Sequence, residues 1–108
     1  MNRLTFEEMQ RMQEELREKY AHLWGGLDPE KGVGTLLWLY GELAEAGDIL
    51  KKEGSRAVME NGKTRAHFIE ELCDALMYLN DLMLCYGIKP DELEQIYREK
   101  HRINMSRW

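Results

Sequence analysis

Apolar residues recur at steps of three and four along most of the chain, a pattern typical of amphipathic α-helices. The apolar–polar alternation of a β-strand does not occur, and glycines cluster between the periodic stretches. We predict four helices, over residues 6–24, 35–53, 64–86 and 90–105. The chain is therefore expected to be all-α.

Several residues mark where these helices begin and end. Thr5 followed by Glu8 is a capping-box pattern before the first helix. Pro90 suits the first position of the last helix. Residues 54–63 are predicted to form a surface loop, with Thr64 capping the third helix. The glycines at 41 and 47 lie inside the second helix, which predicts a close backbone approach near them.

The third predicted helix is apolar on more than one side. Ile69, Met77 and Leu84 lie outside its main apolar stripe. A central place in a bundle, or a subunit interface, would explain this. At 108 residues we expect one domain over residues 1–108, with a four-helix bundle-like architecture, small enough to gain from oligomerisation.

Composition excludes several classes of protein. The net charge of −5 argues against a nucleic-acid binder. No apolar run reaches the length needed to span a bilayer, and the charged N-terminus does not resemble a signal peptide. Cys73 and Cys85 share one predicted helix at roughly 18 Å, too far apart for a disulfide. Free thiols fit a cytoplasmic location.

Two pairs of acids lie in strongly apolar surroundings: Glu42 with Glu45, and Glu71 with Asp74. Acids at this spacing share one helix face, and usually that face is solvated. In apolar surroundings, however, unpaired carboxylates would be costly to bury. A hard cation with oxygen ligands removes that cost, and Mg²⁺ held by few carboxylates usually meets substrate phosphates.

The end of the last helix is basic. Lys100, Asn104 and Arg107 recur at steps of four and three, so they share a face. Such donors can hold phosphate oxygens. Compensation of the helix dipole at its C-terminal end is an equally good explanation of the cluster by itself.

Three motifs occur in order on three predicted helices: Gly41-Glu42-x-x-Glu45-x-x-Asp48, Glu70-Glu71-x-x-Asp74 and Lys100-x-x-x-Asn104-x-x-Arg107. Together they resemble the all-α NTP pyrophosphatase superfamily, the MazG-like group that includes dCTP pyrophosphatases and dimeric dUTPases. The resemblance covers residues 35–107. It implies Mg²⁺-dependent hydrolysis of a nucleoside triphosphate to the monophosphate and pyrophosphate, in nucleotide-pool housecleaning.

The resemblance also implies roles for individual residues. The metal-binding acids would be Glu42, Glu45, Glu71 and Asp74, with Mg²⁺ as cofactor and Mn²⁺ as its substitute. Phosphate and sugar contacts would come from Lys100, Asn104 and Arg107. The family works as dimers or tetramers, with pockets completed by neighbouring chains. Gly41 stands where many members carry a further Glu, as in the dCTP pyrophosphatase branch, so the number of metal ions stays open.

A general base would come from Glu45 or Glu70, through a contact that does not involve the metal. Asp48 and Asp81 are interpreted as solvated polar positions, with an outer-shell role near the metal as the alternative.

Base recognition is assigned to aromatic residues. Trp24 and Trp38 offer stacking faces, and His67 offers a polar contact near the second acid pair. A core tryptophan and an exposed histidine are equally good interpretations. The base and the sugar stay open.

Two other functions compete with hydrolysis. The first is a non-catalytic helical oligomer or regulatory subunit, in which the acids would be dispensable. The second is a metal-sensing or metal-storing bundle, although no histidine follows a glutamate at the Glu-x-x-His spacing typical of iron bundles.

Overall fold

The computed structural model describes residues 2–108, and all regular secondary structure in that range is helical. The six α-helices are α1 (Phe6–Lys19), α2 (Ala21–Trp24), α3 (Gly32–Glu53), α4 (Ser55–Glu60), α5 (Gly62–Cys85) and α6 (Pro90–Met105). One 3₁₀ turn, Pro29–Lys31, precedes α3. The all-α prediction is confirmed.

The first predicted helix is in fact two. Thr5 caps α1 as predicted, because its hydroxyl accepts a hydrogen bond from the Glu8 amide at 3.1 Å. The helix breaks at Tyr20, whose ψ of 19° departs from helical geometry. After the break, the Trp24 ring lies against the Tyr20 ring, with centroids 4.8 Å apart. The short α2 thus packs back against the end of α1.

Helix α3 begins three residues earlier than predicted, at Gly32. A Cβ at Gly32 would lie 1.9 Å from the Tyr86 hydroxyl oxygen, so a side chain there would displace the tyrosine. The close approach predicted at Gly41 and Gly47 is wrong, since a Cβ at either would have no neighbour within 4 Å. The tight glycine contact lies at the helix start instead.

The loop predicted over residues 54–63 is wrong, because this segment contains α4. Gly54, with a φ of 88°, turns the chain between α3 and α4, and Val58 is buried. The cap of α5 is Asn61 rather than Thr64, since the Asn61 side chain accepts a hydrogen bond from the Thr64 amide. A helix of six residues is too short to show a period in sequence.

Helices α3 and α5 form an antiparallel pair at the centre of the fold, joined by α4. The Thr35 hydroxyl at the start of α3 lies 3.7 Å from the Cys85 sulfur at the end of α5. Helix α1 packs on α5, and the buried Gln10 side chain donates to the Ile88 carbonyl at 3.0 Å. Among the described helices α6 packs only on α1. The α3–α5 pair therefore positions the side chains discussed below.

Both cysteines are free, Cys85 buried and Cys73 exposed. Within residues 2–108, the helices are all too short or too polar to cross a bilayer.

Candidate functional site

Three of the four predicted acidic ligands meet where α3 packs against α5. One carboxylate oxygen each from Glu42, Glu45 and Glu71 lies within 4.8 Å of the other two, and we call this group the carboxylate cluster. Glu42 and Glu45 project together because they are three residues apart on α3. Asp74 follows Glu71 by one turn of α5, outside this group of three.

The carboxylate cluster is electrostatically unfavourable by itself. Glu42 and Glu71 each keep one buried carboxylate oxygen, Oε2, that has no hydrogen-bond partner. Burial, followed by the negative charge of Glu45, raises the pKa of Glu42 to about 7. Close contact with Glu45, followed by burial, raises the pKa of Glu71. The cluster therefore tends to hold a proton where ordinary carboxylates are ionised.

A hard cation fits this arrangement. The donors are all carboxylate oxygens, a set that suits Mg²⁺, Ca²⁺ or Mn²⁺ rather than a soft metal. The buried Oε2 atoms of Glu42 and Glu71 have no protein donor, and a cation would satisfy them. Glu42, Glu45 and Glu71 would hold the ion, with Asp74 beside them.

A cavity of about 720 Å³ lies on one side of the cluster, between α1, the 3₁₀ turn, α3 and α5. Trp24, Trp38 and Tyr78 line it, and we call it the aromatic cavity. The Trp38 and Tyr78 rings are stacked, with centroids 6.2 Å apart and planes 10° from parallel. Asp74 also lines this cavity, next to the carboxylate cluster. The two predicted tryptophans thus face one space.

A second cavity, of about 620 Å³, lies on the other side and includes Glu45 and Glu71 in its wall. Lys52 and Lys63 line it as well, so we call it the lysine cavity. His67 belongs to this cavity, and its Nε2 lies 3.3 Å from a Glu71 oxygen. The histidine is therefore on the opposite side of the cluster from the tryptophans.

The basic residues of α6 are not brought to the cluster within one chain. Lys100, Asn104 and Arg107 are exposed, and α6 contacts α1 rather than α3 or α5. Glu70 is also exposed and lies outside the carboxylate cluster and outside both cavities. Asp48 is exposed in the wall of the lysine cavity.

The interpretation of Asp81 as a solvated residue is wrong, because only 3% of it is exposed. Burial, partly offset by the Gln13 amide and the Arg17 guanidinium, raises the pKa of its carboxyl. Asp81 and Tyr78 both line the aromatic cavity. Their spacing of seven and four residues after Asp74 places them on the same face of α5, a signal that the sequence did contain.

No pattern in the sequence indicated a role for Lys63. It follows α3 by ten residues and reaches the lysine cavity only because α4 folds the chain back. Lys52, in the last turn of α3, lines the same cavity.

Comparisons with protein-family models, with curated proteins and with solved structures found no match. The resemblance to the MazG-like group thus rests on the three motifs alone and stays a prediction.

Proposed function

We propose that the protein is a Mg²⁺-dependent nucleoside triphosphate pyrophosphohydrolase that releases a nucleoside monophosphate and pyrophosphate. The observation that carries this proposal is the position of the carboxylate cluster between the aromatic cavity and the lysine cavity. Flat apolar rings suit a nucleobase, and ammonium groups suit terminal phosphates. The α–β phosphoanhydride would then lie at the cluster, between its two ends.

Residues of each cavity would bind a different part of the substrate. Trp24 and Trp38 would hold the base, while Lys52 and Lys63 would neutralise the β- and γ-phosphates. Bound Mg²⁺ would supply charge neutralisation and an activated water. Without the ion, the acids of the cluster would repel a triphosphate.

Glu45 is our candidate for the general base. It is the most exposed residue of the cluster, so a water molecule can reach its carboxylate. One carboxylate oxygen can remain with the cluster while the other accepts the proton of the attacking water. Glu70, the other candidate, would need to act from outside the cluster.

We further propose that a second copy of the chain covers an apolar face on α3 and α5. Leu43 and Leu72 are about half exposed on this face. Each lies roughly 200° around its helix from one acid of the site, Glu45 or Asp74, and roughly 100° from another, Glu42 or Glu71. Pairing of α3 and α5 across two copies would make a four-helix bundle, the MazG-like architecture, and leave the acids open to substrate.

A second copy would also offer a source of basic groups. Lys100, Asn104 and Arg107 do not reach the cluster of their own chain, so a neighbouring chain is the proposed origin of their phosphate contacts. The free Cys73 thiol and a nucleotide substrate would both fit a cytoplasmic enzyme.

Disrupting the apolar face is expected to dissociate the oligomer. The double substitution of Leu43→Glu and Leu72→Glu would place two charges per chain in an apolar interface, weakening association by roughly thirtyfold or more. Light scattering coupled to gel filtration measures the change as a shift from oligomer to monomer. Met59→Glu, at an exposed position of α4, is the matched control and should leave the mass unchanged. A wild-type protein that is monomeric at high micromolar concentration would contradict the proposal.

A panel assay tests the proposed activity itself. We expect the wild-type protein to release pyrophosphate from at least one canonical or damaged nucleoside triphosphate when Mg²⁺ or Mn²⁺ is present, and not in EDTA. Detecting pyrophosphate, rather than phosphate, distinguishes α–β from β–γ cleavage. A complete lack of release across the panel would instead favour a non-catalytic helical oligomer, which the exposed apolar face also fits.

A further inference from the structure

The aromatic cavity contains a buried carboxylate that the proposed reaction does not use. The Asp81 side chain is 5% exposed and lines the cavity on α5. Its Oδ1 is buried and has no hydrogen-bond partner. Its Oδ2 lies 3.9 Å from Nη1 of Arg17, a cavity residue on α1. Most buried carboxylate oxygens have a donor. Gln13 and Arg17 are the protein donors that act on Asp81, and neither makes a hydrogen bond to Oδ1, so a bound ligand is the remaining source of a donor.

The surrounding side chains define what kind of group could enter. Trp38 is 65% exposed and Trp24 is 47% exposed, large fractions for rings that face a concave space. The Arg17 guanidinium carbon lies 5.2 Å from the centroid of the Trp24 ring, which holds both groups at the cavity wall. Broad ring faces of this kind are stacking surfaces for planar heterocycles.

Asp81 also lies at a suitable distance from the cluster. It follows Asp74 by seven residues on α5, which corresponds to roughly 10 Å along the helix. In a nucleotide whose phosphates lie at the carboxylate cluster, the sugar would span the first part of this distance. Its base would then reach Asp81 with its outer edge.

We infer that the aromatic cavity takes a nucleobase with an exocyclic amino group, as in cytosine or adenine, and that Asp81 accepts a hydrogen bond from that group. The assignment rests on the proposed function, which orients the nucleotide with its phosphates at the cluster. An amino group extends beyond the ring and can reach the recessed Oδ1. The N3–H of uracil lies between two carbonyl oxygens, which would be forced toward the carboxylate.

Water in the cavity does not change this preference. A water molecule could donate to Oδ1 in the free protein, but a base that displaces it must replace the lost hydrogen bond. An amino group does so, and a carbonyl oxygen in the same place does not. Discrimination between the two groups is therefore built into Asp81 rather than into the stacking rings, which accept any base.

Matched ligand pairs test the assignment. Binding of dCMP against dUMP, and of dAMP against dIMP, is measured by calorimetry with Mg²⁺ present, because the members of each pair differ only in one exocyclic group and in the proton on the neighbouring ring nitrogen. We expect the wild type to prefer the amino member of at least one pair by roughly tenfold or more. Asp81→Asn should reduce that preference below about threefold, while the control Asp91→Asn, an exposed position on α6, should retain it.

The outcomes separate this assignment from the proposed function. Equal affinity within both pairs, or a preference that survives in Asp81→Asn, overturns the role of Asp81 and leaves hydrolysis standing. A preference that depends on Asp81 in a protein without pyrophosphate release supports the role of Asp81 and overturns hydrolysis. If none of the four monophosphates binds, the role of Asp81 fails, and the pyrophosphate assay alone decides hydrolysis. Asp81→Ser, which removes the carboxylate without adding volume, replaces Asp81→Asn if circular dichroism shows that Asp81→Asn does not fold.

Discussion

Glu42→Gln is expected to lower Mg²⁺-dependent pyrophosphate release by roughly a hundredfold or more, while the helical circular dichroism spectrum stays unchanged. The substitution keeps the shape of the side chain but removes a charged oxygen, a proposed metal ligand, from the carboxylate cluster. Changes to groups that merely support a metal ligand already cost 10- to 100-fold in metal affinity or activity, in round numbers, so the loss of a ligand itself should cost at least as much. Steady-state assays over a range of Mg²⁺ concentrations measure the effect.

Asp74→Asn makes a second, independent test of the same site. Asp74 lies beside the cluster in the wall of the aromatic cavity, so we expect a loss of similar size. Glu14→Gln is the matched control, because Glu14 is exposed on α1, and its activity should stay within about twofold of wild type. Full activity in Glu42→Gln, at every Mg²⁺ concentration, would remove the cluster from the mechanism.

The metal-free protein is expected to lose stability as the pH rises, and Mg²⁺ should restore it. The pKa of Glu42 is about 7 in the folded protein, against an ordinary value of 4.5. The folded state therefore binds more protons than the unfolded state between these values. The stabilising contribution is fully present below pH 4.5 and is lost as the pH rises through about 7. The raised pKa of Glu71 acts in the same direction.

Thermal unfolding with and without the ion measures this effect. At a hundred times its dissociation constant, Mg²⁺ would stabilise the folded state by about 2.7 kcal/mol, or roughly 10 °C in a domain of this size. The increase should be larger at pH 8 than at pH 5.5, since protons compete with the ion at the cluster.

Glu42→Gln is the control for both the pH dependence of stability and the stabilisation by Mg²⁺. Without metal it should be more stable than wild type above pH 7, because the substitution removes one of three close negative charges. It should also show a flatter dependence of stability on pH and a much smaller response to Mg²⁺. An equal response to Mg²⁺ in the two proteins would mean that the ion binds elsewhere on the chain.

The local parts of the fold could be predicted because they depend on neighbours in sequence. The Thr5 cap and the start of α6 at Pro90 are settled within one turn of helix. The same holds for the pairing of Glu42 with Glu45, because residues three apart on an α-helix share one face. The all-α class follows from the helical period of the apolar residues.

The sequence-based predictions are wrong where a contact between residues far apart in the chain determines the structure. Asp81 has a polar side chain on a helix, and only the packing of α1 against α5 buries it beside Arg17. Gly32 is required by Tyr86, which lies 54 positions away in the chain. The short α4 packs against both α3 and α5, and its Val58 is buried there.

In the candidate site, too, some features follow from the sequence and others only from the tertiary structure. By itself, the sequence determined which acids share a helix face, because helix geometry relates residues three and four apart. Only the tertiary structure decided that Glu71, rather than Asp74, joins Glu42 and Glu45 within 4.8 Å. It alone placed the aromatic cavity and the lysine cavity on opposite sides of the cluster. The physical reason is that the relative position of two helices is set by side-chain packing between them, which no spacing within one helix encodes.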